Sequence, residues 1–137
     1  MTENQPHFVR CWVDGGVVGH NPSPRGIYWS ARVEMAQGHR PVTVRKRIPA
    51  VVYKTNNDAE WMALREALLW LVERNVRQPV VIYSDSRLIV NQFNEKWACQ
   101  VERHQKLRAE CKELASKLKW LGVMWRSRDI MVRKLGH

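Results

Sequence analysis

The sequence predicts an α/β domain in which a five-stranded mixed sheet, three strands antiparallel and two parallel, is flanked by helices. Three observations lead there. Short stretches rich in β-branched residues, parted by Gly, Pro and Asn, fill the first third of the chain. The apolar spacing then switches to a helical period at Ala59. Finally, Pro79-Val80-Val81-Ile82-Tyr83 is a continuous apolar run, the pattern of a strand buried on both faces.

Taken in order, Phe8–Val13 reads as a strand that stops at Asp14-Gly15-Gly16. Asn21-Pro22-Ser23-Pro24-Arg25-Gly26 is turn chemistry, because Pro fixes φ and Gly tolerates positive φ. Ile27–Met35 is a second strand and Pro41–Tyr53 a third, with Val42, Val44, Ile48 and Val51-Val52 as β-branched members. Together they make an antiparallel meander. Thr55 or Asn56 caps a helix whose Ala59, Met62, Ala63, Ala67, Trp70 and Leu71 share one face through Arg74. After the buried strand come a short helix over Leu88–Phe93 and a long one from Val101 to Trp120, with His104, Leu107, Cys111, Leu114 and Leu118 on its apolar face. Gly122–Trp125 is the last strand and Ile130–Leu135 the last helical turns. Trp12, Trp61, Trp70 and Trp120 are expected in the core.

With 137 residues the chain is expected to be one domain over 1–137, residues 1–7 flexible. Its apolar content of 45% and its seven Trp exclude intrinsic disorder. No apolar run reaches the ~20 residues of a membrane span, and Met1–His7 lacks the basic-then-apolar layout of a secretory leader. Cys11, Cys99 and Cys111 show no CxxC spacing and are expected to be buried, reduced thiols of a cytoplasmic protein. The five His are scattered without ligand spacing. Lys and Arg number 23 against 13 Asp and Glu, a net charge of +10. Such a charge attracts polyanions at long range, and it also keeps a protein soluble.

Three carboxylates stand out against that charge. Asp14 closes the first strand, Glu60 lies in the first turn of the first long helix, and Asp85 follows the buried strand. Acids at the ends of adjacent strands, joined by one from a helix crossing them, suit hard divalent cations. Two such ions can activate a water and stabilise the leaving oxygen of a phosphodiester.

These residues sit in motifs that resemble ribonuclease HI. Asp14-Gly15-Gly16 with Asn21–Gly26 is similar to the opening motif of that family, Thr55–Leu64 to the second, and Ile82-Tyr83-Ser84-Asp85-Ser86 to the third. The three lie in register across residues 8–136, and the chain lacks the basic insertion before the long helix, as compact members do. The resemblance implies a ribonuclease H-like fold and endonucleolytic hydrolysis of the RNA strand of RNA–DNA hybrids, leaving 5′-phosphate and 3′-hydroxyl ends. It implies two Mg²⁺ or Mn²⁺ ions, with Asp14, Glu60 and Asp85 as metal ligands. It also implies that Asn56 and Asn57 touch the hybrid in its minor groove, where exposed 2′-hydroxyls distinguish RNA from DNA. Gly15 and Gly16 would admit the scissile phosphate. Ser86 and Arg87 are candidate phosphate or minor-groove contacts, and Trp97, beside Lys96, a candidate for packing on deoxyribose.

The match breaks near the C-terminus. The family's fourth acid falls on Arg133, and its Asn on Asp129. Either Asp129, one helical turn away, substitutes as a catalytic acid, or the second ion is held poorly, or the protein binds without cutting. The family's loop His has no counterpart between Trp125 and Arg133, where Arg126, Ser127 and Arg128 stand; His137 shares a face with Arg133. The rival readings are therefore a weakened or inactive nucleic-acid-binding module of the same fold, and a basic domain that binds protein. The expected partner is an RNA–DNA hybrid, with double-stranded RNA as second candidate, bound by a monomer. Arg45-Lys46-Arg47 lies away from the predicted site.

Overall fold

The computed structural model describes residues 8–23, 25–35, 39–48 and 53–136. Its elements are β1 (Val9–Val17), β2 (Ile27–Glu34), β3 (Val42–Ile48), α1 (Asn56–Glu73), β4 (Val80–Ser84), α2 (Arg87–Phe93), α3 (Glu102–Ala115), β5 (Leu121–Trp125) and α4 (Arg128–Leu135). One sheet has the order β3-β2-β1-β4-β5. β1, β2 and β3 pair antiparallel, while β4 runs parallel to β1 and β5 parallel to β4. This is the mixed sheet that the sequence predicts. Among the described residues no helix is long and apolar enough to cross a membrane. Met1–His7, Pro24, Val51-Val52 and His137 lie outside the described residues.

Strand alternation divides the side chains of β1 between two cores. Val9, Cys11 and Val13 join Ile82 and the buried face of α1 in the larger one. Trp12 points to the opposite face with Val81 and Tyr83, where Met131 and Leu135 of α4 cover them. On α1, Ala59, Ala63 and Ala67 recur every four residues and are at most 1% exposed. Such small side chains let the helix backbone approach the sheet closely. α3 packs on α1 and contributes Leu107 and Cys111 to the larger core. All three cysteines are buried and free, and burial pushes the Cys11 and Cys111 thiols up to about 12.

Three expectations are corrected. β1 does not stop at Asp14; it runs on to Val17, because β2 pairs with it through Gly16↔Tyr28 and Val17↔Ile27. Gly15 and Gly16, where the sequence ends the strand, are extended strand. α3 ends at Ala115, with five residues between it and β5, so Trp120 is not on a helical face. It is 47% exposed, with its ring edge on Phe8, while Leu118 turns inward. Trp70 is half-buried, and the Arg74 guanidinium stacks on it at 3.8 Å.

Candidate active site

The register of the central strands brings two acids side by side. Trp12 of β1 pairs with Tyr83 of β4, and two residues further along each chain stand Asp14 and Asp85. Both lie at the carboxyl end of a parallel pair, where open α/β sheets place ligand crevices. Asp14 shares the strand parity of Trp12 and therefore faces the α4 side. Gly15 faces α1: a Cβ there would stand 2.2 Å from the Ala59 carbonyl oxygen and 2.7 Å from the Glu60 nitrogen. That contact sets Glu60 beside Asp14. Asp14, Gly15, Gly16, Asn21, Tyr28, Asn56, Glu60, Asp85 and Arg128 line one open pocket.

The start of α1 is fixed by its own sequence. Thr55 Oγ1 accepts from the Asp58 amide at 3.1 Å, and Asp58 Oδ2 accepts from the amides of Thr55 and Lys54 at 3.0 and 2.8 Å. This is a reciprocal capping box. The second carboxylate oxygen of Asp58 receives Arg103 Nε and His104 Nε2, both at 2.6 Å, from the first turn of α3. Asp58 is fully buried. Burial alone would raise its pKa, but the bonds from Arg103, Lys54, Thr55 and His104 outweigh it and hold the carboxyl at about 2. The loop between β1 and β2 is tied to the same place. Buried Ser23 donates its hydroxyl to the Val18 carbonyl and its amide to the Lys54 carbonyl. Asn21 Oδ1 accepts from the Asn56 amide at 3.2 Å.

Within the pocket, Glu60 is driven up to about 7. Burial is the largest cause; the Asp85 and Asp14 charges add to it, against a hydrogen bond from Ser86 and the charge of Arg128. An acid whose folded pKa lies above its ordinary value of 4.5 stabilises the fold at low pH and loses that contribution as pH rises toward about 7. Glu60→Gln is therefore expected to gain about 2 kcal/mol over the parent at about pH 8 and nothing at about pH 4.5, read from urea denaturation at both pH values. Equal gains at both would show that repulsion at Glu60 is not its source.

The cation facing these acids is Arg128. Its Nη1 lies 3.1 Å from Asp85 Oδ2 and 3.3 Å from Asp14 Oδ2. Partial burial works against its charge, but the two carboxylates prevail and its pKa is raised. Asp129 and Arg133 are exposed on α4, and neither lines the pocket.

Of the other residues proposed from the sequence, Asn56 lines the pocket and Ser86 caps α2 by accepting from the Ile89 amide at 3.2 Å while bonding Glu60. Arg87 stacks on Trp125 at 3.9 Å, whose indole N–H donates to the Asp85 carbonyl at 3.0 Å. Asn57 is exposed, and Trp97 is 48% exposed; neither lines the pocket. Sequence reasoning missed Asp58, Tyr28 and the contact of Arg128. Asp58 carries a signal, since Thr55 and Asp58 have capping-box spacing; Tyr28 and Arg128 arrive through strand register and helix docking, which no local pattern records.

Among the described residues, no three His, Cys, Asp or Glu side chains stand grouped as a metal site. The donor chemistry nonetheless suits a hard cation: three carboxylates share one pocket, and the raised pKa of Glu60 reports a repulsion that a cation would relieve.

The sequence pattern described as reverse transcriptase-like matches residues 30–132. No curated protein matches the chain. Among solved structures, the RNase H1 of the halophilic archaeon Halobacterium salinarum NRC-1 superposes with a TM-score of 0.80 at 21% identity, covering 93% of this chain and 91% of that one. The N-terminal RNase H domain of a Mycobacterium tuberculosis protein gives 0.78 at 24% identity, covering 93% and 88%. LC11-RNase H1, solved in complex with an RNA/DNA hybrid, gives 0.78 at 22%, covering 92% and 90%.

Proposed function

The chain belongs to the reverse transcriptase-like family and has the fold of the RNase H1 structures, and from that premise we propose that it is an endonuclease hydrolysing the RNA strand of RNA–DNA hybrids. The observation that carries this reading is the convergence of Asp14, Glu60 and Asp85, from two strands and a helix, in one pocket beside Asn56. The hybrid seen with LC11-RNase H1 supports the choice of substrate.

Asp14, Glu60 and Asp85 would hold Mg²⁺ or Mn²⁺. A bound divalent cation supplies charge neutralisation at the phosphate and an activated water for in-line attack, leaving 5′-phosphate and 3′-hydroxyl ends. The chain's own residues do the rest. Without a cation, three carboxylates in one pocket repel a phosphate. Glu60 can hold a proton near neutrality, and the Ser86 bond orients its carboxyl. Asn56 and Tyr28 line the same pocket, and Arg87 stacks on Trp125, whose indole N–H holds the Asp85 carbonyl.

The test is cleavage of a labelled hybrid, duplex RNA and duplex DNA with Mg²⁺ and with Mn²⁺. We expect metal-dependent cleavage of the hybrid, reduced by about 100-fold or more in Asp14→Asn, in line with the several kcal/mol that cation-held charge stabilisation supplies. Absence of cleavage with either metal overturns the enzyme reading. The pairing of Arg128 with both Asp14 and Asp85 favours one alternative, a module that binds hybrids without cutting. It predicts salt-sensitive hybrid binding with no cleavage.

A further inference from the structure

Arg128 is poorly placed for the helix that carries it. It is the first residue of α4, and its N-cap Ser127 makes no side-chain capping bond. A cation at a helix N-terminus opposes the macrodipole. What holds it is the pair of acids across the pocket: a single nitrogen, Nη1, meets Oδ2 of Asp14 and Oδ2 of Asp85. A cation held by Asp14 and Asp85 would compete with the guanidinium for the same two carboxylates. The Arg128 side chain is 51% exposed, so it can swing outward without disturbing a core. Its partners are largely buried, Asp14 at 6% and Asp85 at 17% exposed, but the half-exposed guanidinium can exchange them for water, so it can be displaced.

We propose that Arg128 is a tethered competitor for divalent cations, occupying the space between Asp14 and Asp85 until an ion displaces it. The proposal rests on the reading of Asp14, Glu60 and Asp85 as a cation site. It differs from the effect expected of Arg133, which is exposed and outside the pocket. Arg128 lowers cation affinity by a fixed factor, because every ion that binds must first break the two pairs. In its resting position it also screens the two carboxylates from each other, so the metal-free site is less strained than the acids alone would make it.

The experiment titrates Mg²⁺ and Mn²⁺ into the full chain without nucleic acid, reading the thermal midpoint and, for Mn²⁺, the free ion by electron paramagnetic resonance. Arg128→Gln is expected to bind about tenfold more tightly than the parent, because no ion pair then has to be broken before the ion enters. Arg128→Lys keeps a charge on a flexible stem and should stay near the parent. Arg133→Gln should match the parent as well. Equal affinities for parent and Arg128→Gln overturn the competition while leaving the cation site standing. Failure of every form to bind either ion overturns both readings together. Tighter binding in Arg133→Gln and none in Arg128→Gln would move the competing charge to Arg133 and overturn the assignment.

Discussion

Gly15→Ala is expected to cost about 3 kcal/mol of folding stability, at the upper end of what overpacking does, because nothing near the new methyl can turn aside. The added Cβ would stand 2.2 and 2.3 Å from the carbonyl oxygen and carbon of Ala59, and 2.7 Å from the nitrogen of Glu60. All three are backbone atoms of α1. The helix must lift from β1, and Glu60 must leave Asp14 and Asp85 with it. Gly16→Ala offers the comparison. There the obstacle is the ring and hydroxyl of Tyr28, 2.5 Å away at the nearest, and a side chain at the pocket edge can rotate. Urea denaturation of both variants decides the point. An unchanged midpoint for Gly15→Ala would mean that α1 stands off the sheet at no cost.

Asp58→Ala is expected to destabilise the fold by about 4 kcal/mol, within the range for removing one partner of a buried ion pair. The substitution strips the capping box of its return bonds. It also leaves His104, buried, and Arg103 without the carboxylate that both hold at 2.6 Å. The pH dependence follows from the sign of the shift. Asp58 is lowered from 3.8 to about 2, so its stabilisation is present above the ordinary carboxylate pKa and is lost as pH falls through that interval. The parent should lose stability between about pH 4 and about pH 2, and the variant should show a shallower slope there, monitored by circular dichroism across an acid titration. Equal slopes would place the source of acid sensitivity elsewhere.

The layout of the chain was legible because its periodicities are separate in sequence. The continuous apolar run at Val80–Tyr83 is buried throughout, and Ala59, Ala63 and Ala67 mark a helix laid tight on a sheet. The three acids were legible through their motifs, and the pocket brings together Asp14, Glu60 and Asp85. What failed were boundaries governed by partners. Gly15-Gly16 signals the end of a strand in local terms, but β2 holds both residues extended and α1 forbids a side chain at Gly15. Leu114, Leu118 and Leu121 keep a helical spacing past the end of α3 at Ala115, which drew Trp120 onto a face that does not exist. The sequence register put the anomalous cation at Arg133. The structure delivers Arg128 to the acids instead, because α4 meets the sheet end with its first residue.

The edge of the sheet gives the basic run Arg45-Lys46-Arg47 a meaning that its distance from the pocket denies it. Among the described residues β3 is the outermost strand on its side and pairs only with β2 within the sheet. Such an edge is a template for another strand. Three consecutive exposed cations lie along it, so a second copy docking there would bring a matching row of like charge against them. Three like charges along one sheet edge thus oppose its pairing with the same edge of a second copy.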